Sequence, residues 1–220
     1  MTLKVPFPNN LTKIDALTLI DHSFLSQDDD CYYLGEYTAR KGYAYSDTNN
    51  LISNLKKPIE KRALPEWHYK ERAILVAASS MRAAVPPDWL SGATFVPIPP
   101  SKVKTDPNYD DRMTRILQAI NLESPVDSRE LIIRVQNSDP AHESSRPREP
   151  NQIRSSYTID DELCHPSPTK IIICDDVLTT GASFKAAKAI LSEAFPDVDI
   201  RGVFIARRAP VDEDDTEICF

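Results

Sequence analysis

Two adjacent carboxylates, Asp175 and Asp176, are followed at short distance by Thr179, Thr180, Gly181, Ala182 and Ser183. Side-by-side acids can accept hydrogen bonds from the vicinal hydroxyls of a sugar, or hold a divalent cation through water. The hydroxyls of Thr179, Thr180 and Ser183 can donate to phosphate oxygens while backbone amides of the same turn surround the anion. Gly181 is one of only five glycines in the chain, and a glycine lets the backbone approach a ligand closely. The plainer reading is a strand that ends in a solvated Asp-Asp turn, with threonines that only cap a helix.

The elements that must position these residues flank them directly. Ile171, Ile172, Ile173 and Cys174 form a short apolar run that suits a strand buried on both faces. The two carboxylates are expected to stop that strand, because acids do not belong in a dry sheet interior. Beyond the turn, Phe184, Ala187, Leu191 and Ala194 recur about one turn apart, which predicts a helix over Phe184–Phe195. Strand, hydroxyl-rich turn and helix together aim backbone N–H groups and the positive end of a helix dipole at a phosphate.

Ile171–Ser183 resembles the phosphoribosyl-diphosphate signature of type I phosphoribosyltransferases: four apolar residues, two acids, two apolar residues, then Thr-Thr-Gly-Ala-Ser. The resemblance implies that Asp175 and Asp176 contact the ribose hydroxyls and that Thr179–Ser183 hold the 5-phosphate. Within that family, Val96-Pro97-Ile98-Pro99 followed by basic residues is similar to the stretch before the flexible loop of ComF-like members. Looser matches are Asn54-Leu55-Lys56, placed like that group's apolar-Lys segment, and Arg134, Arg146 or Arg148, Asn151 and Tyr157, which follow the order of its third block. The chain lacks the cysteine-rich zinc module of many ComF-like proteins. Asn108-Tyr109-Asp110-Asp111-Arg112 stands where they carry Arg-Gly-Phe-Asn. Thr179 stands where purine-salvage relatives have an acid that serves the base, so no general base is assigned.

A diphosphate leaving group needs positive charge and fixed donors where its negative charge accumulates. Lys102, in the polar loop after Phe95–Pro100, and Arg112 are the candidates for that role. Ser101, Lys104, Tyr109, Asp111, His142 and Arg146 are further candidates for diphosphate or acceptor contacts. Arginine geometry suits phosphate oxygens, and a histidine near neutral pH could exchange a proton. Taken alone, the same residues read as a solvated basic loop and an exposed histidine.

Along the rest of the chain, Ile14, Leu17, Ile20 and Phe24 or Leu25 predict an amphipathic helix. Cys31–Tyr37 and Gly42–Ser46 predict a tyrosine-rich hairpin, and Asp47 could cap a short helix to about Lys57. Tyrosines there could stack on a base or simply pack a half-buried sheet. Pro65 opens a longer helix whose face carries Trp67, Ile74, Ala77, Ala78, Met81 and Val85, a core pattern in which no site is read. Strands follow at Ala93–Ile98, Leu131–Val135, Ser155–Ile159 and Asp199–Ala206, with a helix carrying Met113, Ile116, Leu117 and Ile120. Residues 136–152 read as a long loop, and long loops in compact domains are often functional.

The 220 residues, 41% hydrophobic and 27% charged, describe a globular chain able to bury a sizeable core. No apolar run reaches bilayer length and no signal peptide opens the chain, so a cytoplasmic protein without membrane attachment is expected. The four cysteines, Cys31, Cys164, Cys174 and Cys219, are scattered without a C-x-x-C pair, which suggests reduced thiols rather than zinc ligands or disulfides. A net charge of −7 speaks against wholesale attraction to nucleic acid or anionic membrane. Part of it sits in the acidic segment Asp212–Glu217.

The resulting expectation is an α/β fold, a type I phosphoribosyltransferase-like, mostly parallel sheet flanked by helices. Residues 1–64 would form an N-terminal hood or accessory segment, 65–210 the core and 211–220 an acidic tail. The resemblance implies phosphoribosyl diphosphate as ligand, Mg²⁺ as cofactor held at Asp175 and Asp176 through water or the ribose, a nucleobase-like small-molecule acceptor and room for a homodimer. Two alternatives stand beside it: a regulatory protein that senses the sugar phosphate or a nucleotide without turnover, and a ComF-like accessory factor in DNA handling.

Overall fold

The computed structural model describes residues 7–121, 123–137 and 148–210. Its strands and helices, in chain order, are β1 (Thr12–Lys13), β2 (Cys31–Thr38), α1 (Asp47–Leu55), α2 (Trp67–Ala84), α3 (Pro87–Gly92), β3 (Thr94–Pro97), α4 (Arg112–Ala119), β4 (Asp127–Ser128), β5 (Ile132–Arg134), α5 (Pro150–Arg154), β6 (Tyr157–Ile159), β7 (Lys170–Leu178), α6 (Ala182–Ala194) and β8 (Asp199–Ala209). The fold is α/β, with a six-stranded sheet in the order β1-β2-β8-β7-β3-β4. Every neighbouring pair is parallel except β1–β2. β5 and β6 form a separate antiparallel ribbon.

The isoleucine run explains why β7 sits inside this sheet. Successive strand residues face opposite sides, so Ile172 and Cys174 enter the core built with α1, α2 and α4, while Ile171 and Ile173 enter the core built with α6, Leu131 and Ile132. β8 does the same with Val203 and Ile205 on one side and Phe204 on the other. A strand stretch with both faces covered by helices is expected to be apolar on both, and Ile171–Cys174 is.

Several expectations are corrected. No helix forms at 14–25; Leu19–Asp21 is a single 3₁₀ turn, and Leu17 and Ile20 are 80% and 82% exposed. The Asp15 carboxylate accepts from the backbone N–H groups of Leu17 and Thr18, a local closure that competes with helix. The hairpin is replaced by one strand: β2 pairs in parallel with β8, and residues 42–46 are a turn. Asn49 holds that turn, accepting from Thr38 N and donating to the carbonyls of Thr38 and Lys41. Ser46, not Asp47, is the N-cap of α1, its hydroxyl accepting from Asn49 N at 3.0 Å. Leu131–Val135 joins the ribbon rather than the main sheet. β7 does not stop at the aspartates but continues to Leu178.

The segment before residue 65 contributes β1, β2 and α1 to the same sheet and core. It also reaches the turn after β7. His22, fully buried, donates from Nδ1 to the Thr179 carbonyl, and Phe24 N donates to Thr180 O at 2.9 Å. Buried Asp29 pairs with Lys185 at 2.8 Å and Lys188 at 2.7 Å, tying the segment to α6. Among the described residues no helix is long and apolar enough to cross a membrane. Cys31, Cys164 and Cys174 are free thiols.

Candidate functional site

A cleft of about 340 Å³ opens at the carboxyl ends of β3 and β7, the end of a parallel sheet where ligands bind. Its lining comes from four places. Pro97–Ser101 arrive from β3, Tyr109–Thr114 from the start of α4, Asp175–Thr179 with Gly181 and Ser183 from β7 and the turn beyond, and Ile132, Arg134 and Arg148 from the ribbon side. Lys56, just past α1, closes the rim.

The turn is built as its residue types require. Gly181 has φ 85°, the left-handed conformation that other residues resist, and it is the N-cap of α6. A side chain there would also collide with Leu25, whose Cδ2 would lie 2.7 Å from an added Cβ. Thr180 Oγ1 accepts from Ala182 N at 3.5 Å. The first turn of a helix leaves N–H groups without intrahelical partners, so the end of α6 offers donors beside Thr179 and Ser183 at the cleft.

Neighbouring positions on a strand point to opposite sides, and the twin aspartates live in different surroundings as a result. Asp176 is buried, and its Oδ2 accepts from Arg112 Nε at 2.8 Å and pairs with Nη2 at 2.7 Å; Lys56 Nζ lies 3.4 Å from Oδ1. Burial alone would raise its pKa, but Arg112 and then Lys56 hold the carboxyl down at about 2. Among the described residues Asp175 has no such cation within ion-pair distance, and its Oδ1 accepts from Asp176 N at 2.8 Å. Burial, then the charge of Asp176, pushes its pKa up to about 7.

Behind Asp176 the charges continue. Arg112 Nη1 also donates to Asp110 Oδ2 at 2.7 Å, and the same carboxylate oxygen accepts from Lys70 Nζ at 2.7 Å. Lys70 has no exposed surface; its ammonium donates further to the carbonyls of Leu55 and Lys57, at 2.7 and 2.9 Å. Burial lowers its pKa, with Asp110 opposing the shift.

On the other side, Arg134 is 8% exposed and donates to neutral oxygens: Nε to Pro100 O at 2.6 Å, Nη1 to Ser156 Oγ at 2.8 Å and Nη2 to Tyr157 OH at 3.3 Å. Its guanidinium lies 5.0 Å from the Tyr157 ring centre. No carboxylate among the described residues forms an ion pair with Arg134 or Arg148. Burial lowers the pKa of Arg134, which the nearby Arg148 charge reinforces. Five N–H donors and three such bonds leave Arg134 with capacity for an anion.

Asp175, Asp176, Arg112, Thr179, Gly181, Ser183, Ser101, Tyr109 and Asp111 are thus brought together at one cleft. Lys102 and Lys104 do not line it: Lys104 pairs with Glu130 at 2.6 Å, and the loop after Ser101 is held aside by Asn137, which accepts from Val103 N and donates to Asp106. Thr180 and Ala182 support the turn from outside the lining. His142 and Arg146 lie outside the described residues. The Tyr109 hydroxyl faces Glu130 at 3.4 Å, and Asp111 Oδ1 is buried without a partner among the described residues.

Lys56 and Arg134 were indicated in the sequence only by family resemblance, Arg148 by resemblance and by the fit of arginine geometry to phosphate, and Lys70 by neither. Its signal was present: a lysine three and four residues before Ala73 and Ile74 lies on the buried stripe of α2. Lysines are almost never fully buried unless paired.

No cluster of three or more His, Cys, Asp or Glu residues able to hold a metal ion occurs among the described residues. Asp175 and Asp176 are adjacent carboxylates at the cleft, of the oxygen-donor kind that could meet a hydrated divalent cation through water. Compared with known proteins, the chain matches no protein-family model and no curated protein.

Proposed function

We propose that the chain binds phosphoribosyl diphosphate with Mg²⁺ and transfers the phosphoribosyl group to a nucleobase-like acceptor, releasing diphosphate. The observation that carries this reading is one cleft that combines three things: the Gly181 turn at the start of α6, the Asp175–Asp176 pair, and two arginines without acidic partners among the described residues. A sugar bearing a monophosphate at one end and a diphosphate at the other matches that sequence of groups. Thr179–Ser183 hold the 5-phosphate, the aspartates orient the ribose hydroxyls, and Arg134 with Arg148 receive the diphosphate. Mg²⁺, when bound, supplies charge neutralisation on the leaving group.

In the reaction the C1–oxygen bond to diphosphate breaks with its electron pair leaving on oxygen. A C1–nitrogen bond forms and the acceptor gives up one proton. Catalysis would rest on positioning and on charge stabilisation of the leaving group. This assignment moves the diphosphate contacts away from Lys102, which lies outside the cleft lining, and away from Arg112, whose charge is met by Asp176 and Asp110.

Titration calorimetry with phosphoribosyl diphosphate and Mg²⁺ tests the reading on the wild type and on Asp175→Asn/Asp176→Asn. Saturable binding by the wild type and a loss of at least tenfold in the variant are expected. Equal binding by both proteins removes the assignment.

A further inference from the structure

The charges behind Asp176 close into a ring. From Lys70 Nζ it runs to Asp110, from Asp110 to Arg112, from Arg112 to Asp176, and from Asp176 across 3.4 Å to Lys56 Nζ. The ring returns to Lys70 through backbone, because the two carbonyls that accept from Lys70 belong to Leu55 and Lys57, the residues on either side of Lys56. One buried ammonium therefore grips both arms that reach the carboxylate. A cation at the last carbonyls of a helix is favourable there, which is why the end of α1 accepts it. Lys70 itself does not line the cleft.

We infer that Lys70 is a positioning residue of the cleft: from the interior of α2 it sets where Lys56 and Arg112 stand and so fixes the orientation of Asp176. This rests on the proposed function, in which Asp176 meets the ribose hydroxyls. A lysine placed only to fill the core would be a poor choice there, since an apolar chain of equal length costs no desolvation. All three ammonium protons are used, and each goes to a group that leads to the cleft. The turn after β7 stands apart from the ring, held by the N-terminal segment through His22 and Phe24. The Arg134 side is apart as well, its three bonds going to Pro100, Ser156 and Tyr157.

That separation gives a selective test. Lys70→Met and Asp110→Asn would each be titrated with phosphoribosyl diphosphate and Mg²⁺ by calorimetry, and with inorganic phosphate by phosphorus NMR. Displacement of a carboxylate that orients the sugar is expected to weaken the sugar diphosphate on the order of a hundredfold. Inorganic phosphate, whose contacts lie outside the ring, should keep its affinity within about twofold, since independent sites do not couple. The double variant should lose less than the sum of the two singles, because both break the same ring. Wild-type affinity for the sugar diphosphate in Lys70→Met, equal losses for both ligands, or full additivity would overturn the inference and leave the proposed function standing. A wild type that binds no sugar diphosphate would instead overturn the proposed function, and this inference with it. If Lys70→Met does not fold, Asp110→Asn decides between the same outcomes.

Discussion

The two sides of the cleft, separated by β7, handle charge in opposite ways. On the Asp176 side, Lys70, Lys56 and Arg112 meet Asp110 and Asp176 in one connected set. On the Asp175 side, Arg134 spends its bonds on two neutral hydroxyls and a carbonyl, and Asp175 has no ion pair among the described residues. Burying charge is costly unless it is paired and hydrogen-bonded. The charges of the Asp176 side are therefore paired within the protein and form a fixed frame around that carboxylate. The Asp175 side holds the positive charge of Arg134 without an acidic partner among the described residues, and under the proposed function this is where a ligand anion would gain binding energy.

The largest expected effect breaks the frame. Arg112→Leu leaves Asp176 buried with only Lys56 near it and should destabilise the fold by about 3–5 kcal/mol in urea unfolding. A change below about 1 kcal/mol would mean that the Asp176 side is not the paired frame described here. Next comes the open side: Arg134→Gln should weaken phosphoribosyl diphosphate with Mg²⁺ by roughly ten- to a hundredfold, the range of charge-assisted hydrogen bonds. Inorganic phosphate binding at the turn should survive it.

Gly181→Ala forces a left-handed conformation onto a residue with a Cβ and presses it into Leu25, which should cost about 1–3 kcal/mol of stability. The Leu25→Ala background should return the steric part but not the conformational part. A smaller, pH-dependent contrast separates the two aspartates. Asp175 keeps its proton in the folded state up to about 7, above the ordinary carboxyl value of 3.8, so its contribution to stability falls as pH rises between those values. Asp176, held at about 2, contributes in the reverse sense: its stabilisation is present above 3.8 and is lost as pH falls toward 2. Asp175→Asn should therefore gain on the wild type at pH 8 relative to pH 4 in thermal unfolding, and a parallel pair of curves would contradict this. The smallest effect is expected at Lys104→Ala, which removes a partly exposed pair between Lys104, outside the cleft lining, and Glu130, which belongs to it, and should shift stability by less than about 1 kcal/mol.

What the sequence disclosed follows from how local each signal is. The β7–turn–α6 unit was readable because isoleucines, acids, hydroxyls and glycine are contiguous and each constrains its own backbone. The continuation of β7 through Asp176 was not readable, because the cations that make a buried carboxylate tolerable come from Lys56 and Arg112, far away in the chain. The same holds for Lys70, whose partners are Leu55, Lys57 and Asp110. At residues 14–25 the apolar spacing suggested a helix, yet the Asp15–Thr18 turn and the pairing of Ile14 N with Cys31 O take the segment another way. The tyrosines of β2 were correctly read as strand formers, but strand propensity does not name the partner, and β8 lies near the other end of the chain. Lys102 illustrates the converse: a cation at a promising position in sequence stands outside the cleft because Asn137 draws its loop aside.

The most direct measurement is a crystal structure of the chain with phosphoribosyl diphosphate and Mg²⁺. The account predicts the 5-phosphate within hydrogen-bonding reach of the backbone at 179–183, the ribose hydroxyls on Asp175 and Asp176, and the diphosphate against Arg134 and Arg148. Ligand density elsewhere on the molecule, or in the cleft with its two phosphate ends exchanged, would contradict it.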